Sequence, residues 1–559
     1  MKLTRWQRWL LAALPLLFLT IFFLYPLFAI LRLGLWPAGR LDLSGLRALW
    51  QKPYYLRVIW FSLWQAALST AGALALGLPA AFLFARFQFP GKKLLRALVT
   101  LPFVMPTVVV AAAFIALIGP RGLLNRAMMS LWGLDNPPLQ LMHTIWIILL
   151  AHIFYNTSVV IRMVGGFWAN MDPRQEAAAA MLGAGPWQRW RFITLPILAP
   201  AIMAASLLAF LFNFTSFGVV LILGGPKFAT IEVEIYRTAV RLFNLPVAAA
   251  LSIVQIIFTL ALMILYTHLQ QRMTAPLNFM SGSQTQRPPR SWQEKVLVGG
   301  IVVTLGVFLL SPLVALVVQS LLSHGSISLA AYRALFVNRT NSIFFVTPII
   351  AVRNSLAFAL ATVLMSLLLA LPAAYLLSAR GQKTFSLSRI LDPLFMLPMG
   401  TSAVTLGLGY IVALSRPPLN LRASLIILPI AHTLIAFPFV LRTILPALRG
   451  MNPHLREAAQ MLGANGWRVL RHIDFPLLRR VLAVGIIFAF TISMGEFSAS
   501  LLIYRPQFPT IPVAIYRLLG QPGAGNLQQA LALSVILMLV TGAGYVFIEN
   551  LRYGGIEEF

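Results

Sequence analysis

The chain has 559 residues, of which 59% are hydrophobic and only 10% charged, with 43 Lys+Arg against 14 Asp+Glu for a net charge of +29. Soluble domains carry roughly 25% charged residues, so this composition excludes an ordinary soluble multidomain protein. The basic residues fall between long apolar runs, the pattern that orients membrane proteins rather than one that binds nucleic acid, and the absence of cysteine excludes disulfides, zinc–thiolate sites and iron–sulfur clusters.

The N-terminus carries Lys2, Arg5 and Arg8, followed by an apolar stretch from Leu10 to Leu31. That stretch exceeds a signal-peptide core of roughly 7–15 residues and ends without a clear small-x-small cleavage site. It reads as a retained first span with a cytoplasmic N-terminus. Since a spanning helix needs about 20 apolar residues, the first half offers spans at about 10–31, 57–85, 97–118, 141–165, 195–223 and 247–268. The polar segment 270–294, with Ser281-Gly-Ser, Arg287, Pro288, Pro289 and Arg290, has no helical period and reads as a cytoplasmic linker. The second half offers spans at about 295–321, 354–378, 390–415, 423–446, 481–503 and 527–548. The fold expected is an all-α polytopic membrane protein of about 12 transmembrane helices in two tandem six-helix domains, 1–269 and 295–559. Segments 86–96, 166–194, 270–294, 379–389 and 447–480 are then cytoplasmic. They hold Arg86, Lys92, Lys93, Arg96, Arg174, Arg272, Arg380, Lys383, Arg389, Arg456 and Arg471 among other basic residues; Arg40, Lys52, Arg121 and Arg339 fall outside.

The halves repeat. At an offset of 280, Ala151-His152 falls on Ala431-His432, Arg162 on Arg442 and Pro173 on Pro453. Met181-Leu-Gly-Ala184 falls on Met461-Leu-Gly-Ala464, and Trp187, Arg191, Ile193 and Pro196 fall on Trp467, Arg471, Ile473 and Pro476. Phe217 matches Phe497, and Thr230, Ile231, Val233, Ile235, Tyr236 and Arg237 match Thr510, Ile511, Val513, Ile515, Tyr516 and Arg517. An even number of spans per half makes these parallel repeats, with a pathway expected between them.

One repeated segment lies in a cytoplasmic loop, at about 170–196 and 450–476. It begins Asp172-Pro or Asn452-Pro, a helix start in which the Asx side chain caps and proline takes the first helical position. An alanine-rich stretch favours helix, and Gly183 or Gly463 fits its left-handed end. A second helix leads to Pro196 or Pro476 at the mouth of the next span.

This segment resembles the family motif of ABC-importer permeases of type I: Glu-Ala-Ala, three residues, Gly, about nine residues, then Ile-x-Leu-Pro. The second copy matches at Glu457, Ala458, Ala459, Gly463 and Pro476, with Phe475 replacing Leu. The first departs, since Glu176 lies seven residues before Gly183, whereas Glu457 lies six before Gly463. In register, Ala177 holds the glutamate position, followed by Ala178, and Arg456 faces Glu176. The resemblance implies that Glu176, Ala177, Ala178, Gly183, Pro196 and their counterparts couple to an ATPase, through unequal docking sites. It covers essentially the whole chain, and the Thr-x-x-Val-x-Ile-Tyr-Arg run and Ser62-Leu-Trp-Gln-Ala-Ala67 are similar to the fused permeases for ferric iron and thiamine. More loosely, they are similar to permeases for phosphonates or spermidine-type solutes. The resemblance implies a bacterial inner-membrane importer permease working by alternating access, with ferric iron the first solute expected and thiamine or another small cationic or phosphonate solute the alternative. It further implies two copies of a separate ATPase, which would bind the ATP and magnesium, and an external solute-binding protein.

The chain shows no Gly-x-x-x-x-Gly-Lys-Ser/Thr phosphate loop and no nucleophile–base arrangement, so it is expected to be no enzyme and to bind no cofactor or metal. Glu496, an acidic residue within a span, and its counterpart Ser216 are pathway candidates. The repeated Tyr236 and Tyr516 are candidates for a gate, with interface anchoring the plainer reading. Glu232 and Glu234 alternate with apolar residues, as in a short amphipathic piece on the outer face. His152 and His432 repeat, but a metal site needs converging ligands and hydrogen bonding is the plainer reading. A gradient-driven secondary transporter could share parallel six-helix halves but leaves the repeated loop unexplained. A membrane-embedded enzyme would need a catalytic cluster, which is not visible.

Overall fold

Long apolar runs in lipid must satisfy their own backbone hydrogen bonds, and helices do so within one segment. A computed structural model describes residues 5–36, 39–273, 286–323, 326–337, 346–378, 384–415, 419–422 and 424–553. The middle of the expected linker, 274–285, together with Arg339, Arg380 and Lys383, lies outside the described residues. Among those described, 11 helices are long and apolar enough to cross a membrane. A twelfth candidate is the pair Ile390–Gly400 and Ala403–Ala413, bent by 96°. Each expected span overlaps one of these. The only strands among the described residues are the two-residue antiparallel pair Leu322–Ser323 and Ser326–Ile327.

Besides that bent pair, three expected spans are interrupted. The stretch expected at 97–118 is two helices, Lys92–Val104 and Thr107–Ile118, separated at Met105-Pro106. A residue before proline is pushed to extended geometry, and Met105 has ψ 136°. The stretches expected at 195–223 and 481–503 are also broken. Leu195–Phe214 gives way to Gly218–Leu223, and Phe475–Gly495 to Ser498–Ile503.

The contacts divide the chain into two compact units that do not follow the sequence halves end to end. One contains Ala48–Glu234 and Val254–Ala331. Within it, Pro53–Arg86 packs along Ile145–Ala169. A Cβ at Gly77 would come within 2.7 Å of the Val160 side chain, so glycine permits the close approach there. Helix Trp292–Leu321, early in the second half, packs in this unit against Thr107–Ile118. The other unit contains Met1–Arg47, Ile235–Ile253 and Tyr332–Phe559. Its core joins Ile350–Ser378, Ile427–Gly450 and Phe475–Gly495 around Phe395, Leu434, Phe437 and Val440, all buried. Helix Tyr25–Leu35, from the start of the chain, packs there on Ala403–Ala413. The first span of each half thus packs in the unit built mainly from the other half.

Candidate functional site

Both copies of the repeated loop fold into the same corner, for local reasons. The Asp172 carboxylate accepts from the Arg174 backbone N–H at 2.9 Å, and the Asn452 side chain accepts from that of His454 at 3.0 Å. Each starts a short helix, Arg174–Met181 or Pro453–Met461. At its end Ala184 N–H donates to Ala179 O and Gly183 N–H to Ala180 O, while Ala464 donates to Ala459 and Gly463 to Gln460. This closure requires a left-handed residue, and Gly183 and Gly463 have φ of +85° and +81°.

The expected second helix is continuous with the next span. It starts at Pro186 or Gly466 and passes through one wide π turn, Trp190–Thr194 or Leu470–Asp474. Pro196 and Pro476 follow that turn directly, inside the helix rather than at its mouth. Proline removes one intrahelical donor, and the π turn, a recurrent one-turn bulge, reroutes the bonding: Leu195 N–H reaches Trp190 O and Phe475 N–H reaches Leu470 O.

The outer side of each corner is apolar. Met181, Leu182, Met461 and Leu462 are each 89% exposed, and Trp187, Trp467 and Phe192 are also exposed. Ala177, Ala178, Ala458 and Glu457 face outward with them, while Ala459 is half-buried. Glu457 meets His454, at 3.1 Å, one turn back.

Glu176 does not stand beside these residues. Its carboxylate turns inward, 2.7 Å from Arg86 at the end of helix Pro53–Arg86, and accepts from the Thr194 hydroxyl at 2.8 Å. Its register mate Arg456 also turns inward and meets Asp474 at 2.8 Å. The Tyr375 hydroxyl donates to the other Asp474 oxygen at 2.9 Å, and the Arg456 guanidinium lies 5.9 Å from the Tyr375 ring centre. Arg86 was legible in the sequence only as a loop charge, and Thr194, Tyr375 and Asp474 were missed. The signal was Asp474 itself, one of two acids in a basic loop, standing in register with Thr194.

Glu496 lies at the break between Phe475–Gly495 and Ser498–Ile503, 8% exposed. Its oxygens accept from the backbone N–H groups of Ala499 (2.8 Å) and Ser500 (2.9 Å) and from the Ser500 hydroxyl (2.8 Å), so it caps the short helix. His432 stands 3.5 Å away, bonded at 2.8 Å to both Ser493 and Ser500. In the first half His152 bonds Ser216 at 2.8 Å and Ser69 at 3.2 Å.

Glu232 and Glu234 are not on an amphipathic surface. Helix Ile231–Tyr236 is buried all round, with Gln255 donating to Glu232 at 2.7 Å and Tyr54 to Glu234 at 2.8 Å. Tyr236 is 7% exposed, and burial, with Tyr516 nearby, pushes its phenol up to about 12. Tyr516 packs on Phe497 with ring centres 5.5 Å apart and accepts weakly from Arg241 at 3.5 Å.

The profile of the family described as "Binding-protein-dependent transport system inner membrane component" matches residues 73–275 and 336–552. The thiamine transport system permease protein ThiP of Escherichia coli (strain K12) is 27% identical over 90% of this chain and 90% of its own. The protein of the same name from Haemophilus influenzae is likewise 27% identical over 90% of each. A putative 2-aminoethylphosphonate transport system permease protein, PhnU, of Salmonella paratyphi A is 31% identical over 46% of this chain and 89% of its own. Among solved structures, a chain of a bacterial ABC transporter involved in the import of the acidic polysaccharide alginate aligns at 22% identity with a TM-score of 0.41, over 48% of this chain and 97% of that one. With two matched segments that take in both corners and eleven membrane-length helices among the described residues, the chain belongs to the binding-protein-dependent transport system inner membrane components, as a fused two-domain ABC importer permease.

Proposed function

We infer that this permease carries thiamine, in preference to the ferric iron first expected from the sequence. The observation that carries the reading is likeness along the whole chain: 27% identity to thiamine permeases over 90% of both chains. The half-length likeness to a phosphonate permease gives 2-aminoethylphosphonate as the second reading. The chain works by alternating access, with its N-terminus and both corners on the cytoplasmic side. Two copies of a separate ATPase supply the ATP and magnesium chemistry and seat on the corners, and an external solute-binding protein delivers the solute. The exposed Met181, Leu182, Met461 and Leu462 support that seating, because large apolar patches on a polar rim mark interaction sites. The inward turn of Glu176 leaves the first corner without the outward acid that Glu457 provides in the second. The test is reconstitution in liposomes with the ATPase and the binding protein. ATP-dependent uptake of labelled thiamine is expected; uptake of iron or 2-aminoethylphosphonate alone overturns the solute, and uptake driven by an ion gradient without ATP overturns the mechanism.

A further inference from the structure

The two inward ion pairs share one position on the short helix, where the charge is exchanged, and draw their partners from different elements. Position 176 matches 456, and position 194 matches 474, at the same offset of 280 that aligns the rest of the loop. In the first corner the acid is on the short helix and its cation, Arg86, ends the second span of the domain. In the second the cation is on the short helix and its acid, Asp474, is in the π turn at the root of the following span. In both, the helix residue also reaches the matched π-turn position, Thr194 or Asp474. In both, the constellation also reaches the end of the second span of its domain, at Arg86 or at Tyr375 near the end of Ile350–Ser378.

These pairs are not surface decoration. Side-chain exposure is 12% and 25% for Arg86 and Glu176, and 17% and 4% for Arg456 and Asp474. Exposed pairs contribute little, whereas a pair shielded this far leaves an uncompensated charge when one partner is removed. What recurs is the attraction at that place, whichever residue carries which sign. The first pair is braced further by the end of the linker. Arg287 N–H donates to Arg86 O and Gln88 N–H donates to Arg287 O. The Lys92 ammonium donates to Phe84 O, Phe87 O and the Gln286 side chain, closing the carbonyl end of the helix that carries Arg86.

We propose that Glu176–Arg86 and Arg456–Asp474 are paired struts that transmit movement of each docking helix into the two spans beside it. The proposal rests on the reading of the corners as ATPase seats. Glu176 and Arg456 are positioning residues in it: the outward face meets the ATPase, and the struts make the corner and the span roots move as one body. A flexible tether would let the helix follow the ATPase without moving the spans.

The experiment uses the full chain with its ATPase and binding protein in proteoliposomes, reading ATP hydrolysed per thiamine taken up and ATPase retained on an affinity-tagged permease. Glu176→Gln and Arg86→Glu are expected to raise the ATP cost per solute by about fivefold. The reversed pair Glu176→Arg with Arg86→Glu is expected to return it to within about twofold of the parent. Arg456→Gln, and Arg456→Glu with Asp474→Arg, give the same contrast in the second corner, which covers the case in which Arg86→Glu does not fold. A merely structural contact would lower the amount of ATPase retained on folded permease and leave the ATP cost per thiamine of the assembled complex at the parent's value; a raised cost at unchanged retention is what the struts predict. Single variants with the parent's ratio, or reversed pairs no better than the worse single variant, overturn the struts. If the unmodified permease retains no ATPase, the seating itself is overturned; if it retains ATPase while Glu176→Gln keeps the parent's ratio, only the struts fall.

Discussion

At the scale of single residues, the corner depends on one backbone angle. Gly463 has φ +81° and open space where a Cβ would stand. The cost of a side chain there is therefore conformational, roughly 1–2 kcal/mol, and smallest for asparagine among the others. Gly463→Val is expected to lower ATPase retention several-fold, while Gly463→Asn keeps most of it, as measured by co-purification from detergent. Glu496 shows the opposite situation, with a side chain whose acceptor sites are filled by its own protein. Removing it strands two buried N–H groups, those of Ala499 and Ser500, and takes away an acceptor of the Ser500 hydroxyl. Glu496→Ala is therefore expected to lower stability by about 1–3 kcal/mol, read as an earlier thermal transition in detergent. A solute contact would instead show as a raised KM in a variant of unchanged stability.

At the scale of elements, the positions of the spans were legible because twenty-residue apolar runs admit few alternatives. Their interruptions were less so. Proline at 106 announced one break; the breaks before Gly218 and Ser498 fall at short polar stretches, Asn213-Phe-Thr-Ser216 and Ser493-Met-Gly-Glu496, within longer apolar runs, and depend on polar side chains meeting from other helices, as Glu496 and His432 do. The short helix of each corner was legible throughout, since its Asx start, alanine body and glycine end are local signals that the structure repeats. Its two faces were not, because which side chain turns inward is set by the spans beneath it. The outward face can be tested as a unit. Replacing Met461 and Leu462 together by serine is expected to weaken ATPase retention about tenfold or more, in keeping with the loss of two apolar side chains from an interface. The same pair of changes at Met181 and Leu182 is expected to act in the same direction, in a titration of ATPase onto immobilised permease.

At the scale of the whole molecule, the duplication describes the chain's history better than its packing. Each compact unit takes a first span from the opposite half, Tyr25–Leu35 into one and Trp292–Leu321 into the other. A chain cut between residues 274 and 285 therefore leaves both fragments contributing to both units. Insertion of a protease site there and cleavage in detergent are expected to yield two fragments that still co-purify; fragments that separate on size exclusion would contradict this packing.

The sequence by itself determined the class of molecule, the approximate number of spans, the doubling and the glycine-turned corner in each half. Each of these is carried by hydropathy, spacing or a local backbone signal within a few residues. Only the tertiary structure decided that Glu176 faces its own helices, that Asp474 and Arg86 anchor the two corners with opposite sign, that Glu496 caps a helix, and that the first spans pack across the halves. Those facts depend on pairs of groups separated by tens to hundreds of residues, and no local pattern records which of many buried neighbours a charge will meet.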